Sequence, residues 1–405
     1  SWIHGVGSDP IKVSRFRELL RLRTEWLKAG RISHDERSFI NFKRWLLLVA
    51  EHTWGMDEKT WLNDHENYTA EKFQIARVQP NFKTFESSWV EKRAYPQLAV
   101  NALEDTPLGV AARERLQSIR PRLPDLGTWQ PLQPERPLLE NPALSVGFNV
   151  EDGSVFELLD RRNGKTWVNG SGSFSQFSYQ TFSSADYERI FNQYILESQR
   201  HGWAEEDFCK PGLSPQDAES RHWLPVVNAV YRRGSPETDH LLFQLSFPNE
   251  AVQHYGAPAK VFLTYRLPPN GSTLFVDLQW FNKPAARLPE AFWMNFQPAA
   301  GEGAAWHIEK MGSEISPLEV VENGNRHLHA SGQYVICRNP GSSLTLSALD
   351  SPLVAPGQRS LLNFTNDQPD MREGVHFCLL NNLWGTNFPM WFEEDCRFRF
   401  EIKLD

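Results

Sequence analysis

The sequence predicts a multidomain α+β protein, with helices in the first third followed by a large antiparallel β-sandwich. Three observations carry this reading. Apolar residues recur at helical spacing up to about Val100. That periodicity stops at the proline-rich stretch "RPRLPDLGTWQPLQPERPLLENP". Beyond it, apolar and polar positions alternate around glycine-containing turns. The boundaries fall at residues 1–120 for the helical part, 121–142 for a proline-rich linker and 143–405 for the sandwich.

The chain opens with "SWIHGVGSDP", in which Asp9 is a suitable N-cap and Pro10 the first helical residue. Phe16, Leu19, Leu20, Trp26 and Leu27 then share one face of a helix running to about Lys28, which Gly30 ends. A second helix from about Asp35 places Phe39, Phe42, Trp45, Leu46 and Val49 on an apolar stripe that continues into His52. A third, long helical region carries Phe82, Phe85, Trp89 and Val100, with Pro80 opening its second half. Together these predict a three-helix bundle. In "ALSVGFNVEDGSVFELLDRRNGKTW" the turns Asp152-Gly153 and Asn163-Gly164 join strands into hairpins. "VFLTYRL" and "LFVDLQWF" flank a turn at Pro268 to Ser272, and "RFRFEIKL" alternates as a strand. Few helical stretches separate these strands, which favours an antiparallel sandwich over a βαβ fold.

Composition limits the functional classes. A chain of 405 residues, 23% charged and 40% hydrophobic, is an ordinary globular sequence long enough for two or three domains. A net charge of −8 without concentrated Lys and Arg argues against nucleic acid as a partner. "RWLLLVA" is far shorter than the roughly 20 apolar residues that span a bilayer, so no membrane partner is expected. Cys209, Cys337, Cys378 and Cys396 fit no zinc or redox spacing and read as separate buried thiols. There is no G-x-S-x-G of a serine hydrolase and no Gly-rich loop ending in GK[ST]. The opening stretch has neither an initiator methionine nor a signal peptide, so the chain reads as beginning inside a longer protein. Compartment and oligomeric state stay unassigned.

The strongest bias is aromatic, with 15 Trp and 26 Phe, many beside Asn, Gly or Pro. Sugar rings stack their C–H faces on aromatic planes while Asn, Asp and His bind hydroxyls, so the mixture suits a carbohydrate partner; a sandwich core consumes the same residues. Candidate sugar-binding residues are Trp2 and His4 in "WIHGVG", Trp54 beside Gly55, and Asn382, Trp384 and Asn387 in "NNLWGTNFPMWF". The alternatives are a glycine-rich connection for the first stretch and a loop tucked under the helices for the last. His52, in "VAEHTWGMDEKTW", is either a metal ligand or a helix-end residue favoured by the helix dipole. Asp57 and Asp64 are either supports for its imidazole or helix caps, and the "HLH" at His327 to His329 has a spacing that could chelate on one face of a strand but reads rather as a solvent-exposed strand pair.

The order of parts resembles a known family. "SWIHGVGSDP", "AEHTWGMDEKTW", "ESSWVEKRAY", "NPALSVGFNVEDGSVFELLDRRNGKTW", "KPAARLPEAFW", "LDSPLV" and "NNLWGTNFPMWF" together look like the back part of glycoside hydrolase family 38, the α-mannosidases. The nearest branch is the one known as domain of unknown function 5054. The resemblance implies the end of an α/β catalytic barrel, a helical bundle and a galactose-mutarotase-like sandwich. It implies a retaining glycosidase for α-linked sugars that uses two carboxylates and one zinc ion. In that pattern the zinc ligands are an early His-x-Asp pair, the nucleophilic Asp and a later His, whose place His52 takes. The acid/base Asp would stand immediately before Ser1. The catalytic carboxylates therefore fall outside this chain, which is expected to be inactive alone. "HTWG" replaces the paired-histidine stretch usual in the mannosidases, which separates this branch from them. Two other classes are a non-catalytic carbohydrate-binding sandwich and an interaction module that docks another chain through its helices.

Overall fold

The computed structural model describes residues 2–51, 53–133, 136–170, 172–199, 202–214, 218–235 and 238–405. It is an α+β architecture with the helices first and large antiparallel sheets after them. A 3-10 turn, Trp2–Ser8, leads into α1 (Pro10–Lys28), where the Asp9 carboxylate accepts the Lys12 amide at 3.1 Å. Then follow α2 (Arg37–Ala50), α3 (Glu58–Trp61), α4 (Ala70–Ala76), α5 (Pro80–Arg93), α6 (Tyr95–Asn101) and α7 (Pro107–Ser118).

Where the periodicity predicts one long third helix, the chain forms α4 to α7. Pro80, Pro96 and Pro107 each stand in a first helical turn. A proline has no N–H for the preceding turn and disfavours α geometry in the residue before it, so each starts a new helix. Leu19, Leu22 and Trp26 of α1, Phe39, Phe42 and Leu46 of α2, Ala99 and Val100 of α6, and Ala112 and Leu116 of α7 close one apolar cluster. Among the described residues no helix is long and apolar enough to cross a membrane.

Among the described residues the strands form sheets of ten, six and four. The ten-stranded sheet runs from Gln130–Leu132 through Val226–Ser235, Thr238–Ser246, Lys260–Leu267, Thr273–Phe281, Cys396–Leu404, Ser342–Ala348, Val335–Asn339 and Ala305–Lys310 to Ser313–Ile315. Leu274, Val276, Leu278 and Trp280 point inward along Thr273–Phe281, while Phe275, Asp277 and Gln279 face outward, as the period of two requires. Trp280 packs there against Phe292 of the six-stranded sheet with ring centroids 4.9 Å apart, and Phe177 stacks on Phe292 at 5.9 Å. Each such aromatic, fully buried, stabilises the fold by about 1.5–3 kcal/mol.

Both hairpin turns form as read: Gly153 and Gly164 adopt φ of 75° and 72° between the strands Leu144–Phe148, Val155–Asp160 and Lys165–Asn169. The proline-rich stretch contributes edge strands of its own, Gln130–Leu132 on Val226–Ser235 and Leu138–Glu140 on Leu144–Phe148. Prolines are tolerated there because an edge strand leaves one side of its backbone unpaired. The "HLH" stretch departs from its predicted exposure. His327 and His329 are buried, because Thr365 from the loop after strand Leu353–Pro356 covers the first and Lys310 of strand Ala305–Lys310 the second.

Helices and sandwich are joined by charge. The Arg17 guanidinium donates to the carbonyls of Ser331, Gly332, Ala348 and Leu349. The buried Glu18 carboxylate accepts from Arg21, Arg115 and Arg399. Burial opposes its ionisation, but Arg21 and Arg399 outweigh it and hold the carboxyl down at about 2.

Candidate functional site

Three segments far apart in sequence meet at one surface: the 3-10 turn Trp2–Ser8, the loop after α2, and the loop following strand Val375–Asn381. Gly5 and Gly7 let the first approach the third. A Cβ on Gly5 would come within 2.3 Å of the Phe388 ring, and one on Gly7 within 2.4 Å of the Asn381 amide nitrogen. Asn381 Nδ2 donates to the His4 carbonyl at 2.9 Å, so "WIHGVG" is a packed element and not a free connection. The Trp54 N–H donates to the Asn387 carbonyl at 2.9 Å, which fixes the second segment to the third.

The result is a run of rings. Trp2, 51% exposed, lies 5.9 Å from Phe388, and Phe388 meets the buried Trp54 edge-on at 5.7 Å. Beneath them Lys12 Nζ stands 3.1 Å from the Trp54 ring centroid, a cation–π contact with little water around it. Burial is the main reason its ammonium is pushed down to about 6, opposed by the charge of Asp9. On the other side of the turn, His4 Nε2 lies 2.7 Å from the Leu361 carbonyl, and its ring lies 5.6 Å from Trp384. Trp384 in turn meets Phe208 at 5.2 Å, at the end of the helix Gly202–Phe208. The hollow beside His4 and Trp384, closed by Tyr194, Phe208 and Leu362, is about 30 Å³. That is room for a water molecule, an order of magnitude below the roughly 300–1,000 Å³ of small-molecule pockets. The rings line a surface and enclose no pocket of ligand size.

The predicted site residues divide accordingly. Trp2, His4, Trp54, Trp384 and Asn387 come together here. Asn382 does not: it is 1% exposed, its Oδ1 accepts the Glu290 amide, and its Nδ2 donates to the carbonyls of Ala286 and Leu288. His52 lies outside the described residues. Asp57 caps α3 through the Thr60 amide, and Asp64 accepts from Asn67 and pairs with Arg287, so both serve local structure. Among the described residues no three His, Cys, Asp or Glu side chains converge on a point that could hold a metal. Those residues alone do not make the three- or four-ligand set zinc requires. Sequence reasoning missed Lys12, Phe388 and Phe208. Phe388 lies in "NNLWGTNFPMWF" beside candidate residues, whereas nothing local to Lys12 or Phe208 marks them.

The architecture defines an α+β protein whose helices pack on antiparallel sheets. Residues 6–275 match the family described as a domain of unknown function, DUF5054, and the chain belongs to that family. No curated protein matches the chain. Among solved structures it is similar to an α-mannosidase from Enterococcus faecalis V583, with 12% identity and a TM-score of 0.43 over 68% of this chain and 30% of that one. It is also similar to a galactose mutarotase-like protein from Lactobacillus casei ATCC 334, with 10% identity and a TM-score of 0.35 over 67% of this chain and 100% of that one. The chain thus spans less than a third of the mannosidase it matches.

Proposed function

We propose that the chain is the C-terminal part of a retaining, metal-dependent glycoside hydrolase acting on α-linked sugars, and that its ring-lined surface forms one wall of the sugar site. The observation that carries this reading is the convergence of Trp2, Trp54, Phe388 and Asn387 from three separate segments. Trp2 offers a half-exposed indole face for a sugar's C–H surface, and Asn387 an amide at the rim for a hydroxyl. His52 supplies one metal ligand in this reading. The remaining ligands and both catalytic carboxylates come from sequence outside this chain. The family resemblance in "SWIHGVGSDP" and "AEHTWGMDEKTW" supports the assignment of the reaction class.

The test is to express the parent open reading frame extended upstream of Ser1, beside the same protein with His52→Ala. The reading expects about one zinc per chain and hydrolysis of aryl α-glycosides, both lost on substitution. Sugar binding that survives in a metal-free protein with no turnover would replace it with the non-catalytic binding module.

A further inference from the structure

A concavity of about 830 Å³ lies on the outer face of the ten-stranded sheet, bounded by Arg122 to Asp125, Thr128 and Trp129, and shares no lining residue with the ring-lined surface. The strand register builds its floor. Arg233, His240, Arg266, Phe275 and Glu401 are direct partners across successive strands, so they form one row on one face.

The charges in the cleft are not all committed. Arg397 is held by Asp277, and Arg399 by Asp350 and Glu18. Arg233 and Arg266 have no carboxylate within ion-pair distance among the described residues; Arg233 reaches the Thr128 hydroxyl at 3.5 Å. Each is laid flat on a ring instead, Arg233 4.4 Å from the Trp129 centroid and Arg266 3.8 Å from that of Phe275. Stacking occupies the face of a guanidinium and leaves its N–H edge for a planar anion. Burial, then the charges of Arg233 and Arg266, push His240 down to about 4, so at neutral pH its imidazole is uncharged and can exchange hydrogen bonds with a hydroxyl. Glu401 stands two strands from Arg266, about 10 Å away, with Thr264 in the adjoining row. By the same count Arg233 stands two strands from Arg266, on the far side of His240, so two cationic edges about 10 Å apart with hydroxyl partners on the floor match an acidic oligosaccharide with a carboxylate on each of two sugar rings. The volume falls within the range of pockets that hold small ligands.

We propose that this cleft binds an acidic oligosaccharide, with one carboxylate on Arg266, a second on Arg233, and ring hydroxyls on His240, Thr264 and Glu401. The site is independent of the glycosidase reading.

Calorimetric titration of the purified chain with digalacturonate, galactobiose and acetate tests it. Saturable binding of digalacturonate is expected, with galactobiose and acetate at least about tenfold weaker, since galactobiose lacks the carboxylates and acetate the hydroxyls. Arg266→Gln and Arg233→Gln should each weaken digalacturonate by about tenfold or more, with melting temperature and circular dichroism unchanged. No saturable heat with digalacturonate, equal affinity for galactobiose, acetate binding as tightly, or indifference to Arg266→Gln would each overturn the proposal.

Discussion

Asn387 receives the Trp54 amide on its carbonyl at 2.9 Å while holding φ at 54°, in the left-handed region. Asparagine tolerates that conformation and glycine more so, whereas a β-branched residue is strained there by about 1–2 kcal/mol. Asn387→Gly should therefore leave thermal stability within about 0.5 kcal/mol of the parent, and Asn387→Val should lower it by about 1–2 kcal/mol. Sugar binding separates backbone from side chain. If the amide contacts a hydroxyl, Asn387→Gly loses affinity without losing stability.

Asn382 gives the opposite pattern. Its side chain is the partner of the Glu290 amide and the Ala286 and Leu288 carbonyls, all inside the protein. Removing it leaves buried polar groups unpaired at about 1–3 kcal/mol each, so Asn382→Ala should destabilise by roughly 3 kcal/mol in urea unfolding. A variant of unchanged stability and reduced sugar affinity would show that the amide faces ligand after all.

Glu58 ties stability to pH. Its carboxyl is raised from 4.5 to about 7, first by burial, against the hydrogen bond it accepts from the Asp64 amide and the charge of Arg287. Between these two values the folded protein keeps a proton that the unfolded chain has released. Stability from this group is therefore complete below about pH 4.5 and lost as pH rises through 7. Glu58→Gln should remove that component of the slope and exceed the parent above pH 7 by on the order of 1 kcal/mol, read from melting curves across pH 4–9.

What the sequence made legible was local. Asp9 and Pro10 announce α1, Pro80 opens α5, and Asp152-Gly153 turns a hairpin, because cap and turn chemistry acts within a few residues. The strand Gln130–Leu132 was hidden, since its partner Val226–Ser235 lies a sheet's breadth away in the chain and prolines mask it. His327 and His329 are buried by Thr365 and Lys310, and no periodicity around "HLH" reports that. The site divides in the same way. Trp2, Trp54, Trp384 and Asn387 stood out by residue type, but an amide next to aromatics reads the same whether carbonyls satisfy it, as at Asn382, or solvent reaches it. Lys12 was unreadable because its environment is made by Trp54, from another element.

The strand Cys396–Leu404 sits in the interior of the ten-stranded sheet, paired with Thr273–Phe281 on one side and Ser342–Ala348 on the other. During synthesis the two halves of that sheet have no common edge until residues 396–404 have left the ribosome. The row that carries Arg266 and Phe275 cannot extend to Glu401 before then. Until that strand arrives, both flanking strands expose unpaired backbone, the condition under which a nascent chain is open to pairing with another copy of itself. Assembly order is therefore set by the stretch translated late, and non-local pairing of this kind folds slowly.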